Sequence, residues 1–172
     1  MPRRHLALPR VWMLTDERQG AAMWDAIARL PRGAGVVVRH YSLAEEERQA
    51  LAREIARSGV FVAYAGSDAQ ARRARASAVY GAGRGRLPRL WPVHDARALE
   101  CAERAGAAMV LLSPVFATRS HPGARVLGPV RFGFLARRAR VPVIALGGLD
   151  AARFVGLRAL GASGWAAIDA WI

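Results

Sequence analysis

The chain has 172 residues, enough for one domain with a sizeable core, and no apolar run reaches the roughly 18 residues of a membrane span. Its formal charge is +13, every one of the 26 basic residues is arginine, and the absence of lysine excludes side-chain Schiff-base chemistry. A single cysteine, Cys101, excludes a disulfide framework and a thiolate metal cluster.

The arginines are scattered through Ala- and Gly-rich segments, the pattern of solvated helix faces. The densest group, Arg72, Arg73 and Arg75 with Arg84 and Arg86, lacks interleaved aromatics or a base-reading motif. A nucleic-acid partner is therefore not expected, and an Arg-rich nucleic-acid-binding barrel is the distant alternative. Residues 1–9 hold Pro and Arg without the apolar centre of a secretory signal, so they read as a flexible tail on a cytoplasmic, single-domain protein spanning 1–172.

A short strand, Val11 to Leu14, ends at Thr15-Asp16, and Gln19 to Leu30 follows as an amphipathic helix. Gly33 and Gly35 open a second strand, Val36 to His40. Ser42 is expected to cap the helix Leu43 to Arg57, with Glu45 as its capping-box partner. Val60 to Tyr64 is a third strand, Asp68 to Ala76 a helix, and Ala78 to Tyr80 a fourth strand. Gly81 to Pro88 then leaves no room for a helix before the fifth strand, Arg89 to Val93, and reads as a flexible linker.

Asp95 is placed to cap a helix running to Arg104, on which Cys101 is expected to be buried or half-buried. Met109 to Phe116, Val141 to Leu146 and Trp165 to Ala170 are strands, with Leu127 to Arg140 as a helix. The turns Ala105-Gly106-Ala107 and Leu160-Gly161-Ala162 mark two copies of one unit. Strands with no polar face must be covered on both sides, so eight of them imply an α/β fold, a parallel βα sheet or barrel. The repeat is shortened, with the helix after strand four and the final helix reduced or missing. Uncovered strand surface where those helices are missing would favour a homodimer.

Ligands of such barrels sit at the strands' carboxyl ends. There lie Thr118, Ser120 and His121, and the Gly147-Gly148 turn, where a ligand can approach the backbone closely. Ser113-Pro-Val-Phe-Ala-Thr-Arg-Ser-His-Pro-Gly123, with Val143-Ile-Ala-Leu-Gly-Gly148, resembles the thiamine phosphate synthase family, including its thiazole tautomerase (TenI) branch.

The resemblance implies a (βα)8 barrel joining a pyrimidine methyl diphosphate to a thiazole phosphate with Mg²⁺. It implies Thr118, Ser120, Gly147, Gly148, Ile168 and Asp169 as phosphate-binding residues, and Arg39 and His121 as the catalytic groups that hold the leaving diphosphate. Several positions depart from the family pattern. Asp169 stands where a serine is usual, Val37 and Tyr41 flank Arg39 where Gln and Lys are usual, and Pro114 replaces the tautomerase histidine. The two Mg²⁺-binding carboxylate positions fall at Tyr64-Ala65 and in Gly83-Arg-Gly-Arg86, so the metal ligands are absent. His94, beside Asp95, reads as structural. The expected role is thus a thiamine phosphate synthase, a tautomerase-like enzyme, or a diverged relative that only binds thiazole phosphate.

Overall fold

A computed structural model describes residues 7–119, 123 and 125–171. Eight parallel strands close into one barrel, each pairing with the next in sequence and the last with the first. They are β1 (Val11–Leu14), β2 (Gly35–Val38), β3 (Phe61–Ala65), β4 (Ala78–Tyr80), β5 (Arg89–Val93), β6 (Met109–Leu112), β7 (Val143–Leu146) and β8 (Gly164–Ala167). Alternation sends Trp12, Leu14, Val37, Ala63, Ala78, Leu90, Met109, Leu111, Ile144, Ala166 and Ile168 into the barrel. The opposite faces pack under the helices in two separate clusters.

Trp12 fills the amino-terminal end of the barrel. It is fully buried, meets Phe61 edge-on at 5.6 Å, and donates from Nε1 to the Pro9 carbonyl at 2.7 Å. Its neighbour across the β1–β2 pair is Gly35, where any Cβ would run into the indole ring. The anchored Pro9 is buried and Leu8 packs on the interior cluster, so the end of the expected tail is part of the core.

The helices are α1 (Ala22–Ala28), α2 (Glu45–Arg57), α3 (Asp68–Arg73), α4 (Ala96–Arg104), α5 (Gly128–Arg138) and α6 (Ala151–Arg158). The helix expected over 19–30 is two pieces, a 3-10 turn Glu17–Gln19 and then α1. Gly20, at φ +50°, breaks the helical path between them. The expected Ser42 cap is also corrected. α2 starts later, from Ala44, whose N–H donates to Glu47, while Ser42 bonds Glu17 through both its N–H and its hydroxyl. The Asp95 cap on α4 forms as expected, accepting from Ala98 N–H at 2.8 Å. On that helix Leu99 and Ala102 face the core and Cys101 faces solvent, so the expected burial of the thiol is wrong.

The strand expected over 109–116 stops at Leu112. Val115 and Phe116 still donate to the Leu146 and Gly147 carbonyls, so the irregular backbone after β6 stays fastened to the end of β7. β8 likewise stops at Ala167, and a 3-10 turn, Asp169–Trp171, follows.

No helix joins β4 to β5, as the sequence implied, but the loop there is not a flexible linker. Asp68 accepts from the Arg86 and Leu87 N–H groups at 2.6 and 3.0 Å and from Arg89 Nη2 at 2.6 Å. A side chain at Gly85 would collide with that carboxylate. On the outer face of β8, Trp165 stacks between Trp171 (4.9 Å) and Phe154 (6.4 Å), covering the strand. The most exposed large apolar side chains include Val130 and Phe134 on α5 and Val155 on α6. Among the described residues no helix is long and apolar enough to cross a membrane.

Candidate functional site

A cavity of about 770 Å³ opens at the carboxyl ends of the strands. Six residues singled out in the sequence, Arg39, Thr118, Gly147, Gly148, Ile168 and Asp169, all line it. Ser120 and His121 lie outside the described residues. Tyr41, at the position where the resemblance implies Lys, lines it too, as do Tyr80, Arg119 and Arg125, which no spacing rule marked; the alternation of β4 could have signalled Tyr80.

On the β6–β8 side the wall is backbone and small side chains. Gly147 and Gly148 have φ of +102° and +61°. A Cβ on Gly147 would meet Pro114, and one on Gly148 the Ala117 carbonyl, so only glycine lets this turn pack on the loop after β6. Arg153 completes the turn from α6, donating to the Gly148 carbonyl and lying over the Phe116 ring. Ile168 turns its side chain into the barrel and gives its carbonyl to Gln19 Nε2 at 2.9 Å, which ties the end of β8 to the segment after β1. Gln19 is a buried organiser that sequence reasoning missed.

The β1–β2 side is crossed by ion pairs. Arg39 donates from Nε to the Thr15 carbonyl at 3.2 Å and from Nη2 to Asp16 at 3.4 Å. Asp16 also takes Arg18 through both carboxylate oxygens, at 2.7 and 3.2 Å. The bound Arg18 guanidinium holds the Asp16 carboxyl below the usual carboxylate range. Beside it His40 meets the Thr15 hydroxyl at 2.9 Å, and burial pushes its pKa down, towards the neutral ring.

Further round, Tyr64 is buried in a network, where Arg48 Nε donates to its hydroxyl at 2.8 Å and the hydroxyl donates to Glu45 at 3.0 Å. Tyr80 projects into the cavity, and burial lifts its phenol to about 12. His94 is exposed and its Nδ1 lies 2.8 Å from the Ser113 carbonyl, a fastening of β5 to the loop after β6.

Mg²⁺ fits poorly here. A hard cation wants several free oxygen ligands. Among the described residues no three His, Cys, Asp or Glu side chains gather as a metal site. Asp16 and Asp169 are paired with arginines, and Asp68 is spent on the loop after β4.

Comparison with known proteins agrees with this geometry. The pattern of the family described as thiamine monophosphate synthase matches residues 91–171. Over 56 residues the chain is 38% identical to "Putative thiamine-phosphate synthase 2" of Aquifex aeolicus, a stretch covering 33% of this chain and only 30% of that protein's length. A thiamine phosphate pyrophosphorylase from Pyrococcus furiosus superposes with a TM-score of 0.75 at 18% identity, covering 94% of this chain and 85% of that one. FabK from Thermotoga maritima gives 0.73 at 18% identity, over 95% of this chain and 59% of its own, so at this identity superposition speaks for the fold alone. In the sequence of its second half the chain is similar to the thiamine phosphate synthases, and its barrel shares their fold.

Proposed function

We propose that this protein is a diverged, cytoplasmic member of the thiamine biosynthesis machinery that holds a phosphorylated thiazole on the β6–β8 side of its cavity. The observation that carries the reading is the asymmetry of the mouth. Thr118, the Gly147-Gly148 turn, Arg119 and Arg125 converge on one side, where Asp169 accepts from Arg119, while on the β1–β2 side the Asp16 carboxylate is bound to Arg18 and Arg39. The Thr118 hydroxyl suits donation to a phosphate oxygen, and the glycine turn brings backbone within reach of it. Arg119 and Arg125 supply charge, and the apolar wall of Pro114, Leu146 and Leu149 suits the ring.

Condensation with a pyrimidine diphosphate asks for a group that neutralises the leaving diphosphate. The residues do not fit Mg²⁺ in that role, and no step is assigned to it. The test is calorimetric binding of thiazole phosphate together with an assay for thiamine phosphate formation, with Mg²⁺ and with chelator. Binding without metal-dependent product is the expected result. Product that vanishes with chelator would overturn the reading in favour of a working synthase.

A further inference from the structure

One carboxylate stands among the arginines on the phosphate side of the cavity. Asp169, two residues after β8, lines the cavity with its side chain 26% exposed. Its Oδ2 accepts from Arg119 Nε at 3.4 Å, and its Oδ1 lies 3.8 Å from Arg18 Nη2. Arg18 is already held by Asp16 through two shorter bonds, so Arg119 is the cation that Asp169 chiefly occupies. The backbone there is fixed, because Gln19 holds the carbonyl of the preceding Ile168. Arg119 itself is 79% exposed, which makes the pair the weak, exchangeable kind that another anion displaces.

We infer that Asp169 is a specificity-determining residue, a built-in counter-anion that competes with the ligand's phosphate for Arg119. The inference rests on the proposed thiazole phosphate site. A phosphate arriving beside Thr118 and Arg119 meets the Asp169 charge and must take its place on the guanidinium. A neutral thiazole alcohol meets no such repulsion, and its hydroxyl finds in Asp169 an acceptor. The carboxylate thus narrows the preference for the phosphorylated over the unphosphorylated ligand.

The experiment is calorimetric titration of wild type, Asp169→Asn, Asp169→Ser, Arg119→Ala and the Arg119→Ala/Asp169→Asn double variant. The probes are thiazole phosphate, the thiazole alcohol and inorganic phosphate, with thermal melting to check that each variant folds. Removing one like charge at this range is expected to tighten thiazole phosphate binding about tenfold in both Asp169 variants. Alcohol binding stays equal or weakens, and without Arg119 the gain shrinks to about twofold.

Folded Asp169 variants that bind thiazole phosphate no better than wild type overturn the inference while leaving the proposed function standing. Wild type that ignores thiazole phosphate, with inorganic phosphate still bound more tightly by the Asp169 variants, overturns the proposed function and keeps Asp169 as the counter-anion. No binding of any probe by any variant overturns both.

Discussion

The two sides of the barrel mouth are made from the same βα unit and have been put to different uses. Around β6, β7 and β8 the loops present glycine backbone, Thr118 and two arginine side chains to the cavity, one of them on Asp169. Around β2, β3 and β4 the polar groups face one another. Arg39 is held by Thr15 and Asp16, Tyr64 by Arg48 and Glu45, and Asp68 by the loop after β4. A polar group bonded inside the protein stabilises the fold, and the same bond withholds it from a ligand. On the function proposed above, one side of the mouth is the binding surface and the other is scaffold.

The comparison breaks most visibly at Asp68. Asp68→Ala strands the buried Arg89 guanidinium and frees two backbone N–H groups, which is expected to cost about 3–5 kcal/mol in guanidinium denaturation. Thiazole phosphate affinity of the folded fraction should not change; a parallel loss of affinity would make this side part of the site after all.

Next in size is an alkaline effect at Tyr80. An unfolded phenol ionises near pH 10, whereas the half-buried Tyr80 holds its proton to about 12. Its contribution is complete below pH 10 and falls away as the pH rises through the folded value, by about 2–3 kcal/mol. Chemical denaturation at pH 9, 10 and 11 should show the decline, and Tyr80→Phe should flatten it.

On the binding side, Gly148→Val pushes a branched side chain into the Ala117 carbonyl at a left-handed backbone position. Thiazole phosphate affinity should fall at least tenfold, about 1.4 kcal/mol, by calorimetry. The smallest effect is expected at Arg39→Ala, with about 1 kcal/mol of stability lost as the bonds to Thr15 and Asp16 go. Its thiazole phosphate affinity should stay within about twofold of wild type, and a large loss would return Arg39 to the ligand.

What could be read from the chain follows the same division. β1, β4 and β5 were placed to the residue, and all eight strands were counted, because strands buried on both faces are continuous apolar runs between turn residues. The binding side was legible for a related reason, since Thr118, Gly147 and Gly148 sit within a few residues of the strand ends that present them.

The scaffold side was not legible, because its bonds join residues distant in sequence. Ser42 satisfies the spacing of a capping box, yet Glu17, 25 residues upstream, claims it. The Gly-rich loop holds no carboxylate of its own, and the one that fixes it arrives from α3, 18 residues before Arg86. Cys101 was a matter of helical phase. Leu99 and Ala102 lie close together on the helical wheel and face inward, and Cys101, roughly 100° or more from each, faces out.

The indole of Trp12 closes the far end of the barrel, pressed against Gly35 and tied to Pro9. With interior side chains from all eight strands packed between that indole and the mouth, the barrel is a filled core, and a ligand enters and leaves the cavity at the strands' carboxyl ends.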